Sequence, residues 1–276
     1  MKFICTADLH LSAYTNDPVI NGVPEKLHYT LLVINNIILY AKKQKIFNIV
    51  IAGDIFHTKN IIHSLAQSEL LDLIRSNKDI TFYCINGNHD LSSRSGQGVS
   101  ALKCLDNENN VRMFHNTTLI ENIYFVPWDP DNMINDIKSG PTNSFLVAHL
   151  GVNEAKLSSG ISIMSDIKLS DFKKYSHCFL GHYHKPQNVG NVTYIGSPIQ
   201  MDWGEKNEEK RFIIVDSETG KIKSVPTDGY RKYYEFDLTK DNRDNLLKEC
   251  ETLQKGGHYI KLNKIEEFDT NEIDDK

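Results

Sequence analysis

The chain has no two cysteines in CxxC spacing, and its cysteine count is odd: Cys5, Cys84, Cys104, Cys178 and Cys250. This argues against a disulfide framework and against a structural zinc site. Cys5, Cys84 and Cys178 fall in apolar runs and read as small core residues. A reducing, cytoplasmic setting fits that usage. No run of about 18 apolar residues is present, so no membrane span is expected. The N-terminal stretch Met1-Lys2-Phe3-Ile4-Cys5-Thr6-Ala7-Asp8 turns acidic too early for a signal peptide and reads as a buried first strand. Positive charge is not in excess either, since the formal net charge is −5. Composition therefore gives no support for nucleic-acid binding, although a phosphate-binding surface can be local and a metal centre adds charge that a residue count omits. Internal repeats and low-complexity segments are absent.

What is present is a chain of 276 residues with 40% hydrophobic content, enough for one large globular domain and a small appendage. Strand-like runs alternate with helical patterns in the first half. Lys2–Thr6, Ile46–Ile51 and Ile80–Ile85 read as strands, and Glu25–Lys43 and Ile61–Ser76 as helices. This alternation implies βαβ units and an at least partly parallel sheet covered on both faces. From about residue 110 short strands follow one another: 111–114, 118–120, 123–126, 144–149, 178–180, 192–195, 212–216 and 221–225. The second half should therefore be richer in antiparallel pairing, and two packed sheets with helices outside is the expected α/β architecture. Thr227-Asp228-Gly229 marks a boundary. We expect a main domain over 1–228, a small α+β unit over 229–264 with two strands and a helix, and an acidic, disordered tail over 265–276.

Five motifs carry metal-ligand residue types, each just after an apolar run. They are Asp8-Leu9-His10, Gly53-Asp54-Ile55-Phe56-His57, Gly87-Asn88-His89-Asp90, His149 and Gly181-His182-Tyr183-His184. Each has an ordinary reading as a turn, a helix cap or a structural histidine. Together they mean more, because parallel strands deliver their C-terminal ends to one sheet edge, where α/β folds place sites. Alternation would put Asp8 and His10 on one face. Gly53 permits a tight turn that presents Asp54, whose two oxygens can bridge two cations. Asn88 offers an amide oxygen, and His89 is expected near the substrate as an acid or charge stabiliser. Two divalent ions offset by Asp8, Asp54 and a bridging hydroxide leave about +1, which suits an anionic phosphate ester. Nitrogen and oxygen donors without thiolate suit Mn²⁺, Fe or Zn rather than Ca²⁺. Such a site would activate the bridging water and stabilise charge on the ester.

This motif set resembles the calcineurin-like metallophosphoesterase superfamily over roughly residues 2–226. The resemblance implies a two-sheet β-sandwich flanked by helices. It implies that Asp8, His10, Asp54 and His184 hold one ion, that Asp54, Asn88, His149 and His182 hold the other, and that His89 assists catalysis. The GDxFH form around Asp54 is similar to the SbcD-type DNA-repair nucleases, in which the equivalent of His57 also lies by the site, so the resemblance implies His57 as a second catalytic residue beside His89. Tyr194-Ile195-Gly196-Ser197-Pro198, followed by Asp202-Trp203-Gly204-Glu205, resembles their GSP…FGE segment, with Trp203 in place of Phe.

The family resemblance implies a DNA substrate, two divalent ions with Mn²⁺ the foremost candidate, and an SbcC-type SMC-like ATPase partner. A homodimer is a further expectation. In that family a DNA-contacting cap follows the nuclease domain, and helices that bind the ATPase follow the cap. Residues 229–264 resemble part of the cap, and the helices are not recognisable in the sequence. Lys206, Lys210 and Arg211 are candidates to line a DNA groove, with a solvated loop as the alternative. Lys42, Lys43 and Lys45 read as complements to a helix dipole. Arg94 stands close to the motifs and receives no role. Two other functions remain open: a small-substrate phosphodiesterase or phosphatase, and a non-catalytic scaffold that binds DNA or an ATPase.

Overall fold

The computed structural model describes residues 1–93, 98–157, 159–161, 167–239 and 241–264. Arg94 and the acidic stretch 265–276 lie outside them. In chain order the regular elements are β1 Lys2–Thr6, β2 Val19–Ile20, β3 Val23–Pro24, α1 Glu25–Lys43, β4 Asn48–Ala52, α2 Ser64–Ser76, β5 Thr81–Ile85, β6 Val111–Phe114, β7 Thr118–Ile120, β8 Ile123–Val126, α3 Met133–Ser139, β9 Phe145–His149, β10 His177–Gly181, β11 Gln187–Val189, β12 Val192–Tyr194, β13 Arg211–Asp216, β14 Lys221–Pro226, β15 Tyr233–Leu238, α4 Arg243–Lys255 and β16 Tyr259–Lys264. The helix expected from Ile61 begins instead at Ser64.

Two six-stranded sheets form the body. The first runs β14-β13-β1-β4-β5-β6 and the second β11-β12-β10-β9-β8-β7. Their facing sides share one apolar cluster. Phe3, Cys5, Val50, Ala52 and Ile85 come from the first sheet, and Phe125, Phe145, Val147 and Phe179 from the second. The far side of the second sheet packs Leu146, Ala148 and Leu180 with Met133 and Ile137 of α3. Continuous rather than alternating apolar strands are what a sheet covered on both faces requires. In α1, Leu27, Val33, Ile34, Ile37, Ile38 and Ala41 are buried, whereas Leu39 is exposed. Lys42 and Lys43 close the last turn of α1, and Lys42 also pairs with Asp79 at 2.8 Å.

In the first sheet β1, β4, β5 and β6 run parallel, and β13 and β14 add antiparallel strands at one side. The second half is richer in antiparallel pairs, as expected, with β7–β8, β11–β12 and β13–β14, but the second sheet is not antiparallel throughout. Its centre, β8, β9, β10 and β12, is parallel, and only the outer strands β7 and β11 pair antiparallel. The reason lies in its crossovers. Between β8 and β9 the helix is only Met133–Ser139, and between β9 and β10 the described helical structure is the single 3₁₀ turn Leu169–Phe172. Crossovers this poor in helix leave no βαβ signature in the residue pattern.

The described residues divide into two compact units, one within 1–199 and 209–230, the other within 200–208 and 231–264. The second contains the parallel pair β15–β16 with α4, whose Leu246 and Cys250 pack against Leu238. No helix among the described residues is long and apolar enough to cross a membrane.

Candidate metal centre

The parallel direction of β1, β4 and β5 brings three motifs to one edge, and β9 and β10 end beside them. All seven expected ligands and both expected catalytic histidines lie in the first unit. Asp8 and His10 do not share a face through strand alternation, because β1 ends at Thr6. Both residues instead take left-handed backbone, with φ of 55° and 47°. Pairing between the two chain segments continues past the strands: the amides of Asp8, His10 and Leu11 donate to the carbonyls of Gly53, Asp54 and Ile55 at 3.1, 3.0 and 2.8 Å. Asp54 and His182 are also left-handed, at 53° and 97°. Non-glycine residues in this region are strained, and four of them here are expected metal ligands.

Two glycines show how tightly the edge is built. Gly53 has φ +83°, and a Cβ there would stand 2.5 Å from His149 Nδ1. A Cβ on Gly87 would stand 2.2 Å from Asp54 Oδ1. Neither position has room for a side chain.

Asp54 sits at the middle. Its Oδ2 lies 3.6 Å from His10 Nε2 and 3.3 Å from His149 Nε2. On one side His10 Nε2 also lies 2.9 Å from His184 Nε2, and the ligand atoms of Asp8, His10 and His184 are all within 4.8 Å of one another. On the other side Asn88 Oδ1 is 3.1 Å from His149 Nε2 and 2.9 Å from His182 Nδ1. Both groupings consist of nitrogen and oxygen donors converging on a point, which is the donor set of a divalent transition-metal ion. The residues present fit a cation pair.

Partners behind the donors set their orientation. His149 Nδ1 is 2.8 Å from the carbonyl of Ala52, so its proton sits there and Nε2 faces the donors. The Asp8 carboxylate accepts the His182 amide at 2.9 and 3.2 Å. His89 donates its amide to Asp54 Oδ1 at 2.8 Å, and its Nδ1 lies 2.6 Å from the His57 carbonyl. His57 is exposed, and its Nδ1 is 3.3 Å from His10 Nδ1.

Burial makes these charges expensive without compensation. Asp8 and His149 are fully buried, and Asp54 and His10 nearly so. Burial pushes the Asp8 carboxyl above the usual range. Burial also opposes ionisation of Asp54, but His149 and His10 hold it below the usual carboxylate range. His149 is lowered by burial, yet Asp54 and Asp8 outweigh that and raise it to about 9. His182 is lowered by burial, and then by His149, to about 3. Burial likewise lowers His10 and, with His89 beside it, His57.

Some contributors are not legible as such in the motifs. Asp90 is fully buried and accepts the amides of Phe56 at 2.9 Å, Ile55 at 3.3 Å and Gly87 at 2.9 Å. It ties the Asp54 loop to the Asn88 loop. Burial, then Asp54, raises its carboxyl to about 7. Trp128 stacks on His182 with centroids 5.9 Å apart, and Tyr14 lies against His57 at 5.5 Å. No signal local to these two residues marks them.

Two groove candidates have structural work instead. Lys210 is buried and donates to the His184 carbonyl at 2.9 Å. Arg211 donates to the carbonyls of Tyr194 at 2.8 Å and Gln187 at 3.4 Å. Lys206, in the second unit, pairs with Glu235.

The sequence profile of the calcineurin-like phosphoesterases matches residues 1–186. The chain belongs to the calcineurin-like phosphoesterase family. A phosphoesterase of this family is a metal-dependent hydrolase, in agreement with the converging donors. The chain is similar to exonuclease subunit 1 of Enterobacteria phage T4, at 25% identity over 99% of this chain and 88% of that protein. It is also similar to the SbcD subunit of the SbcCD nuclease of Staphylococcus epidermidis, at 22% identity over 94% of this chain and 78% of that one. Among solved structures, an archaeal phosphodiesterase aligns at 13% identity and a TM-score of 0.41, covering 82% of this chain and 99% of its own.

Proposed function

We propose that this phosphoesterase is a nuclease that hydrolyses phosphodiester bonds in DNA with two divalent cations, Mn²⁺ foremost, and that it works beside an ATPase subunit in DNA repair or recombination. The observation that carries the two-cation reading is the single oxygen Asp54 Oδ2, flanked by His10 Nε2 at 3.6 Å and His149 Nε2 at 3.3 Å. One ligand set on each side with a carboxylate between them is what a shared bridge looks like. A nuclease activity and a partner subunit are supported by the names of both relatives, each a subunit of a nuclease, and the choice of DNA follows the GDxFH and GSP segments.

Asp8, His10, Asp54 and His184 would hold one ion, and Asp54, Asn88, His149 and His182 the other. When bound, the pair supplies Lewis acidity that activates water and offsets phosphate charge. The protein's own part is orientation. Ala52 keeps the His149 proton on Nδ1. The His57 carbonyl holds His89 by Nδ1, which leaves His89 Nε2 as the atom that meets substrate. In its protonated form that nitrogen gives a proton or hydrogen bond to the departing oxygen.

Linear duplex DNA, bis-p-nitrophenyl phosphate and p-nitrophenyl phosphate, assayed together with Mn²⁺ and again after chelation, test this reading. Metal-dependent cleavage of DNA and of the diester is expected. Hydrolysis of the small esters with intact DNA at every metal concentration rejects the nuclease assignment.

A further inference from the structure

His57 is an exposed residue whose side chain reaches inward to a buried one. Its Nδ1 lies 3.3 Å from Nδ1 of His10, and the two rings meet edge to face at 5.2 Å and 77°. The other nitrogen of His10, Nε2, points to His184 Nε2 at 2.9 Å and to Asp54 Oδ2 at 3.6 Å. A neutral imidazole carries one proton. If Nε2 of His10 gives its lone pair to a cation, that proton must sit on Nδ1 and needs an acceptor. Within hydrogen-bond distance of His10 Nδ1 stands His57 Nδ1.

We infer that His57 is a positioning residue for metal binding: its Nδ1 accepts the Nδ1 proton of His10, which fixes the tautomer and ring orientation that offer His10 Nε2 to the ion. The inference rests on the two-cation reading above. It differs from a role for His57 on substrate, because it places the effect of the side chain on metal affinity.

The pairing has a counterpart across the site. His149 gives its Nδ1 proton to the Ala52 carbonyl at 2.8 Å, again leaving Nε2 toward Asp54 Oδ2. The two histidines flanking the proposed bridge are thus set in the same way, one by a backbone oxygen and one by a side chain. Only the second can be removed by substitution. Tyr14 further steadies the arrangement, since its hydroxyl donates to the His10 carbonyl and its ring lies 5.5 Å from that of His57.

The test is calorimetric titration of the metal-free protein with Mn²⁺, and with Co²⁺ followed by its visible absorption, for the wild type, His57→Ala and His57→Asn. Asparagine keeps an acceptor close to the position of Nδ1. Circular dichroism confirms folding of each variant before titration. His57→Ala should weaken one of the two binding steps roughly 10- to 100-fold and change the Co²⁺ spectrum, while His57→Asn stays within a few-fold of wild type. Wild-type affinity in His57→Ala overturns the inference and returns the side chain to a substrate role. Equal losses in both variants also overturn it, because the acceptor would then not be what matters. No nucleic acid enters the titration, so a failed nuclease assay leaves this result standing. Absence of two binding steps in the wild type counts instead against the cation pair.

Discussion

His149 donates from Nδ1 to the carbonyl oxygen of Ala52 at 2.8 Å, and this bond crosses from the second sheet to the first. It locks the orientation of a fully buried imidazole and turns Nε2 toward Asp54, on which the proposed centre depends.

Metal binding should therefore be proton-linked. In the metal-free protein Asp54 and Asp8 raise His149 to about 9 against the cost of burial. A raised histidine stabilises the metal-free fold fully below its unfolded value, about 6.5, and that contribution is lost as pH rises through about 9. A cation needs the neutral ring. Binding at pH 7.5 should release about one proton or more, and affinity should rise with pH up to about 9. Calorimetry in two buffers of different ionisation enthalpy measures the release. A buffer-independent enthalpy would show that no proton is released and that His149 does not give one up.

Asp90→Ala should cost stability and metal affinity together. Three amides, those of Ile55, Phe56 and Gly87, lose a buried acceptor. The expected loss is about 3 kcal/mol or more, read by urea denaturation. A drop below about 1 kcal/mol would mean that water takes over the role. Asp90→Asn keeps part of the acceptor and should fall between.

Gly53→Ala and Gly87→Ala should abolish binding of the ion pair, because the added methyl would meet His149 at 2.5 Å and Asp54 at 2.2 Å. Gly220→Ala is the control. Like Gly53 it has a positive φ, +69°, but a Cβ there meets nothing within 4 Å. It should cost about 1–2 kcal/mol of backbone strain with metal stoichiometry intact. Metal content after gel filtration separates the two cases.

His89→Ala should reduce DNA hydrolysis by roughly 10² to 10⁴ while both ions still bind. The backbone amide of residue 89 still reaches Asp54 Oδ1, so the orientation of that carboxylate is preserved. Single-turnover cleavage beside a metal titration checks this. Wild-type hydrolysis would remove His89 from the chemistry.

The centre of the first sheet, β1, β4 and β5, was legible because these strands are continuous apolar runs separated by whole helices, as at Ile80–Ile85 against the observed Thr81–Ile85. Five of the six strands of the second sheet were legible and the short edge strand β11 was not; their directions were hidden because the connections between β8 and β10 carry little helix. The expected ligands were legible by type. How Asp8 and His10 are turned toward the other donors was not, since left-handed backbone after β1 depends on pairing with the Gly53–Ile55 segment. Lys210 illustrates the same limit. Its charge suggested a groove, and the carbonyl of His184, 26 positions distant, accounts for its burial. Asp90 stood in a motif, yet its three amide partners come from two loops that only the folded chain brings together.

The most direct measurement is anomalous diffraction at the manganese edge from crystals grown with Mn²⁺. Two peaks are expected on either side of Asp54, one contacted by Asp8, His10 and His184, the other by Asn88, His149 and His182. A single peak, or a pair that Asp54 does not bridge, would contradict that expectation.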